Sequence, residues 1–143
     1  MSHASRGLKF LYRRFFSEHR DGPRVTYEAL EIPDMSVNRT FDGRSKDVAA
    51  LLFQEPLHEG MGVFGFLVMD IPTPRFVDGV KYGIRPIHVR LSKNYLHSEI
   101  RIFRNDSVHL PKKERDQLPT WLYMKWQFIL ARKTFIEIEP RTG

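Results

Sequence analysis

Gly60-Met61-Gly62-Val63-Phe64-Gly65-Phe66-Leu67-Val68-Met69-Asp70-Ile71 is the stretch that decides how the rest of the chain is read. From Gly62 to Ile71 it is a nearly continuous apolar run rich in Val, Phe and Ile, closed off by Gly60 and Pro72. A strand covered on one face alternates apolar with polar residues, whereas a strand covered on both faces is apolar throughout. The run therefore predicts a buried strand at the middle of a sheet. Its first six residues also spell G-x-G-x-x-G, but dinucleotide binding needs a strand before those glycines and a helix after them. Here a strand follows, and the glycines are read as leading into it.

Outward toward the N-terminus, Arg24 to Ile32 carries β-favouring residues and ends at Pro33, which predicts a strand preceded by the turn Arg20-Asp21-Gly22-Pro23. Lys9 to Phe16 fits either a strand or a short helix. Ser36-Val37-Asn38-Arg39 falls in a stretch read as irregular, because Asp and Asn build turns through their own side chains. Ser45 is suited to cap a helix running to Phe53, with Asp47 in its first turn and Pro56 beyond its end.

Toward the C-terminus, Val80–Leu91 and Leu96–Phe103 read as strands. Pro111 to Gln117 begins a helix, and Pro119 marks a second helical start. From there Leu118, Trp121, Leu122, Met124, Phe128, Ile129 and Ala131 recur at helical spacing to about Arg132, and Lys133–Glu139 alternates as a last strand. No repeat, low-complexity tract or long linker divides the chain. The expected architecture is one α+β domain over residues 1–143: a mainly antiparallel sheet of four to six strands with two helices packed on one face.

Composition narrows the function classes. With 41% hydrophobic residues the chain can build a core, and no apolar run reaches the 18 residues of a membrane span. The absence of cysteine removes disulfides, thiolate zinc sites and cysteine nucleophiles, and fits a reducing, cytoplasmic setting. Neither a Walker loop, nor H-E-x-x-H, nor G-x-S-x-G, nor an EF-hand loop occurs, so no cofactor or metal is expected. The net charge of +6 is unevenly spread: residues 25–80 are acidic on balance, and the segments on either side are basic. Such a layout presents a basic face to phosphates or pairs one half of the chain with the other.

The segment from His88 to Arg101 concentrates the polar chemistry. A hairpin with a four-residue loop, Ser92 to Tyr95, sets Arg90 opposite His97, His88 opposite Glu99 and Ile87 opposite Ile100. Alternation then gathers His88, Arg90, His97, Glu99 and Arg101 on one face, with Ile87, Val89, Leu91, Leu96, Ile100 and Ile102 on the other. Two imidazoles and a carboxylate can exchange protons, with His88 and His97 as acid and base and Glu99 as orienter, while Arg90 holds a phosphate. The plainer reading is a solvated strand face with cross-strand ion pairs. In the loop, Asn94 and Tyr95 serve the turn or offer a base a surface to stack on, and Lys93 and Arg101 add positive charge.

Three stretches, Ser36-Val37-Asn38-Arg39, Gly62-Val63 with Asp70-Ile71-Pro72, and Pro86-Ile87-His88 with Asn94-Tyr95-x-His97-Ser98-Glu99-Ile100, resemble a loose pattern in a group of small bacterial proteins with no assigned activity. The resemblance implies a bacterial or phage-borne protein and carries no reaction. The reading favoured by the residues is a small basic module that binds nucleic acid or an acidic protein partner through Arg90, Lys93, Asn94, Tyr95 and Arg101. The alternatives are a metal-independent phosphodiesterase or ribonuclease using His88, His97 and Glu99, and a structural subunit of a larger assembly.

Overall fold

A computed structural model describes residues 9–32, 35–39, 60–89, 97–105, 107 and 110–140. Among these residues, seven strands form one antiparallel sheet: β1 (Phe10–Phe16), β4 (Met35–Arg39), β5 (Met61–Leu67), β6 (Arg75–Val77), β7 (Val80–His88), β8 (His97–Arg104) and β9 (Phe135–Ile138). Their spatial order is β6-β7-β8-β4-β1-β5-β9. A separate two-stranded ladder joins β2 (Arg20–Asp21) to β3 (Arg24–Val25) across the Gly22-Pro23 turn.

The expected α+β layering with two packed helices is not what forms. Among the described residues the helix α1 (Lys112–Arg115) is a single turn with no buried residue, and only α2 (Thr120–Ala131) packs on the sheet. The helix expected over Ser45–Phe53 lies outside the described residues. The strand count rises above six because β4 and β6 are strands where none was expected. β6 and β7 are joined by Asp78-Gly79, both at positive φ (51° and 80°), the two-residue turn whose twist matches that of the strands it connects.

The apolar run at 62–71 is strand only to Leu67, and Val68–Asp70 continues as a single 3-10 turn. β5 is buried along its length, yet it is the sixth strand of seven, and β4 holds the centre. Burial on both faces does not require a central position here. One side of β5 lies in the main core, and on the other Val63 packs with Tyr12, Phe10, Phe135 and Ile138. Of the stretch Lys9 to Phe16, Phe10–Phe16 is a strand. Of Arg24–Ile32 only Arg24 and Val25 are strand, and Tyr27–Ala29 forms a 3-10 turn that meets α2.

The core sits between α2 and one face of the sheet. Leu122, Trp126 and Leu130, spaced four apart on α2, are fully buried against Leu11, Phe64, Phe66, Val37, Ile100 and Ile102. Side chains of this size contribute about 1.5–3 kcal/mol each when removed from water. Gln127 Nε2 donates to the Leu30 carbonyl, which fixes the helix to the loop after β3.

The β7–β8 register differs from the expected one by a single residue. Ile84 pairs with Ile102, Arg85 with Arg101, Pro86 with Ile100, Ile87 with Glu99 and His88 with Ser98. Two features select it. Gly83 stands opposite Phe103, whose ring occupies the space a Cβ at 83 would need. Val89 N–H donates to the His97 carbonyl and Asn105 N–H to the Lys81 carbonyl, so the odd-numbered residues of β7 bond toward β8. Pro86 therefore turns its missing donor outward, past the end of β6, where no ladder bond is lost.

Candidate functional site

The slip redistributes the polar residues between the two faces, because side chains alternate along a strand. His88 shares the core-side row with Ser98 and lies exposed at its rim, whereas His97, Glu99 and Arg101 project from the far face. The expected constellation of His88, His97 and Glu99 on one face is therefore not assembled. Arg90, Lys93, Asn94 and Tyr95 lie outside the described residues.

What the far face does assemble is a different set. β4 brings Ser36 opposite Glu99 and the buried Asn38 opposite His97, and β7 brings Arg85 opposite Arg101. His97 is 7% exposed and its Nδ1 lies 3.0 Å from the Val89 carbonyl oxygen. A carbonyl only accepts, so Nδ1 carries the hydrogen of this contact. That contact ties the imidazole to the β7 backbone just where the ladder ends.

Glu99 Oε1 accepts from Arg101 Nε at 3.1 Å and from Nη2 at 2.8 Å. Its carboxylate is thus committed to Arg101 rather than to a histidine. Arg85 has no carboxylate among the described residues: its guanidinium carbon stands 5.0 Å above the Phe103 ring, and its Nε is buried without a hydrogen bond. Lys81, four residues from Arg85 on the same face, pairs with the exposed Phe76 of β6. The signals for this set were Gly83, Phe103 and the Asp78-Gly79 turn, which together fix where Arg85 and Lys81 point.

Arg13 and Arg20 make structural contacts. Arg13 donates to the Ser36 carbonyl and to Glu31, both at 2.9 Å. Burial lowers its pKa and Glu31 opposes that shift. Arg20 is paired with Glu139, joining the small ladder to the end of β9. Tyr12 is held neutral, with burial first and Glu137 second pushing its phenol up to about 12. Among the described residues, no three His, Asp or Glu side chains gather as a metal-holding group, and no helix is long and apolar enough to cross a membrane.

The outer side of α2 is apolar as well. Trp121, Met124, Phe128 and Ile129 are all exposed there, with Arg75 lying over the Trp121 ring and Tyr27 against Phe128.

Among the described residues, fold and site together define an antiparallel β-sheet covered on one face by α2 and carrying Lys81, Arg85 and Arg101 on the other. No protein-family model, curated protein or solved structure matches the chain.

Proposed function

We propose that the chain is a basic binding module that engages nucleic acid through the far face of its sheet. The observation that carries this reading is the Arg85–Arg101 pair. Like charges directly opposite on neighbouring strands repel. Glu99 offsets only Arg101, and Arg85 is left to the ring of Phe103. A phosphate between the two guanidiniums relieves that repulsion, and the planar fork of Arg matches its oxygens. Lys81 extends the positive row, and the net charge of +6 supplies longer-range attraction. A cytoplasmic place for such a module accords with a chain that has no cysteine.

Fluorescence anisotropy with labelled RNA and DNA oligonucleotides, between about 50 and 200 mM salt, tests the reading. Affinity is expected to fall steeply with salt. Arg85→Ala is expected to weaken binding about tenfold and to lower the log–log salt slope by about one, with thermal unfolding unchanged. Absence of binding to both nucleic acids at low salt overturns it. Binding to an acidic polypeptide in their place transfers the face to a protein partner.

The outer side of α2 favours a second reading, a structural subunit of a larger assembly. Four large apolar side chains on one side of a twelve-residue helix are more than scattered surface residues. Sedimentation equilibrium is expected to give a mass above the monomer that returns to it in Phe128→Glu. A wild-type chain that stays monomeric at every concentration removes self-assembly from consideration.

A further inference from the structure

Phe76 is the most exposed large apolar residue among those described, at 70%, and it stands on the edge strand β6. Its direct partner across the ladder is Lys81, so both side chains leave the sheet on the same face. Arg85 and Arg101 follow on that face, two positions beyond Gly83 and Phe103. An aromatic ring at the rim thus continues a row of three cations. Phe76 has no aromatic or cationic partner among the described residues, in contrast to Phe103 beneath Arg85.

Two features position this part of the sheet. The Asp78-Gly79 turn sets the β6–β7 hairpin, and Asn105 closes the other side of the row, its N–H donating to the Lys81 carbonyl at 2.7 Å and its Oδ1 accepting from Lys81 N–H at 3.3 Å. Resting on the reading of this face as a nucleic-acid surface, we infer that its ligand is single-stranded, with a base stacked on Phe76 and the adjoining phosphates on Lys81, Arg85 and Arg101. Cations alone attract duplex and single strand alike. A ring standing free in water gains only from a base whose own face is free, and in a duplex those faces are covered by neighbouring bases.

The experiment compares wild type, Phe76→Ala, Phe76→Trp and Arg85→Ala by anisotropy, on oligouridylate and oligodeoxythymidylate strands of about twelve nucleotides and on a duplex of the same length. Phe76→Ala is expected to lose about tenfold in affinity for the single strands and nothing on the duplex. Phe76→Trp is expected to retain affinity, with its indole fluorescence quenched on binding. The tighter of the two strands identifies RNA or DNA as the ligand. If Phe76→Ala binds the strands as well as wild type while Arg85→Ala does not, the stacking inference falls and the nucleic-acid reading stands. If the wild type binds duplex as tightly as single strand, the inference falls in the same way. If wild type binds none of the three at low salt, both fall together.

Discussion

The two faces of the sheet are built from the same strands under different rules. On the face under α2, Leu11, Phe64, Val37, Ile100 and Ile102 lie against Leu122, Trp126 and Leu130, and apolar content alone specifies the arrangement. On the far face the outcome depends on which residue stands opposite which. Arg85 meets Arg101, Glu99 meets Ser36 and His97 meets Asn38, and moving β7 by one residue would replace every one of its contributions. A core tolerates reading by composition, whereas a site on a strand face exists only in one register.

The largest break in that contrast comes from Trp126. It is fully buried at the centre of the helix–sheet contact. Trp126→Ala removes its transfer free energy and leaves a cavity, for an expected loss of about 3–5 kcal/mol in unfolding free energy. Urea denaturation measures it, with a midpoint shift at unchanged slope. A loss under about 1 kcal/mol would show that α2 does not carry the core as described.

Gly83 tests whether the register depends on a close approach. A Cβ there meets the Phe103 ring and comes within 3.1 Å of Pro74. Gly83→Ala must push the ring aside, with an expected cost of about 1–3 kcal/mol from overpacking. Because Phe103 also lies under Arg85, nucleic-acid affinity is expected to fall alongside stability. In the background Phe103→Ala the same substitution is expected to cost far less. Equal costs in the two backgrounds would detach the glycine from the ring.

Several single elements were legible while the layering of the fold was not, and the failures have identifiable physical causes. β7, β8, β9 and α2 each announced themselves through apolar runs or periodicity within a few residues of the observed limits, and β5 did so at its start but not at its end. β4 did not, because Asn38 and the preceding Pro33-Asp34 suggested turn chemistry, although Met35 and Val37 alternate as inward-facing residues of the central strand. β6 is three residues long and its own composition says little, but Asp78-Gly79 is the strongest short signal for a hairpin and would have revealed it. At the site, His97, Glu99 and Arg101 do share a face. His88 does not, because a four-residue loop with apolar residues matched across the hairpin implies a register one residue away from the observed one. Gly83 opposite Phe103 and the outward-turned Pro86 fix it one residue away.

Glu99 gives the smallest and most diagnostic effect. Its carboxylate is part-exposed, as is Arg101, so the pair is worth no more than about 1 kcal/mol. Glu99→Gln leaves Arg101 opposite Arg85 with both charges unbalanced, and stability is expected to drop by about 0.5–1 kcal/mol. The same change removes one negative charge from the face, so affinity for a nucleic-acid strand is expected to rise about two- to fivefold at low salt and to converge on wild type as salt increases. Opposite signs in the two measurements are what a binding face requires, since the repulsion that weakens the free protein is relieved by the bound phosphate. A merely solvated face gives the stability loss alone, and equal affinities for Glu99→Gln and wild type at low salt would reduce the arginine pair to that role.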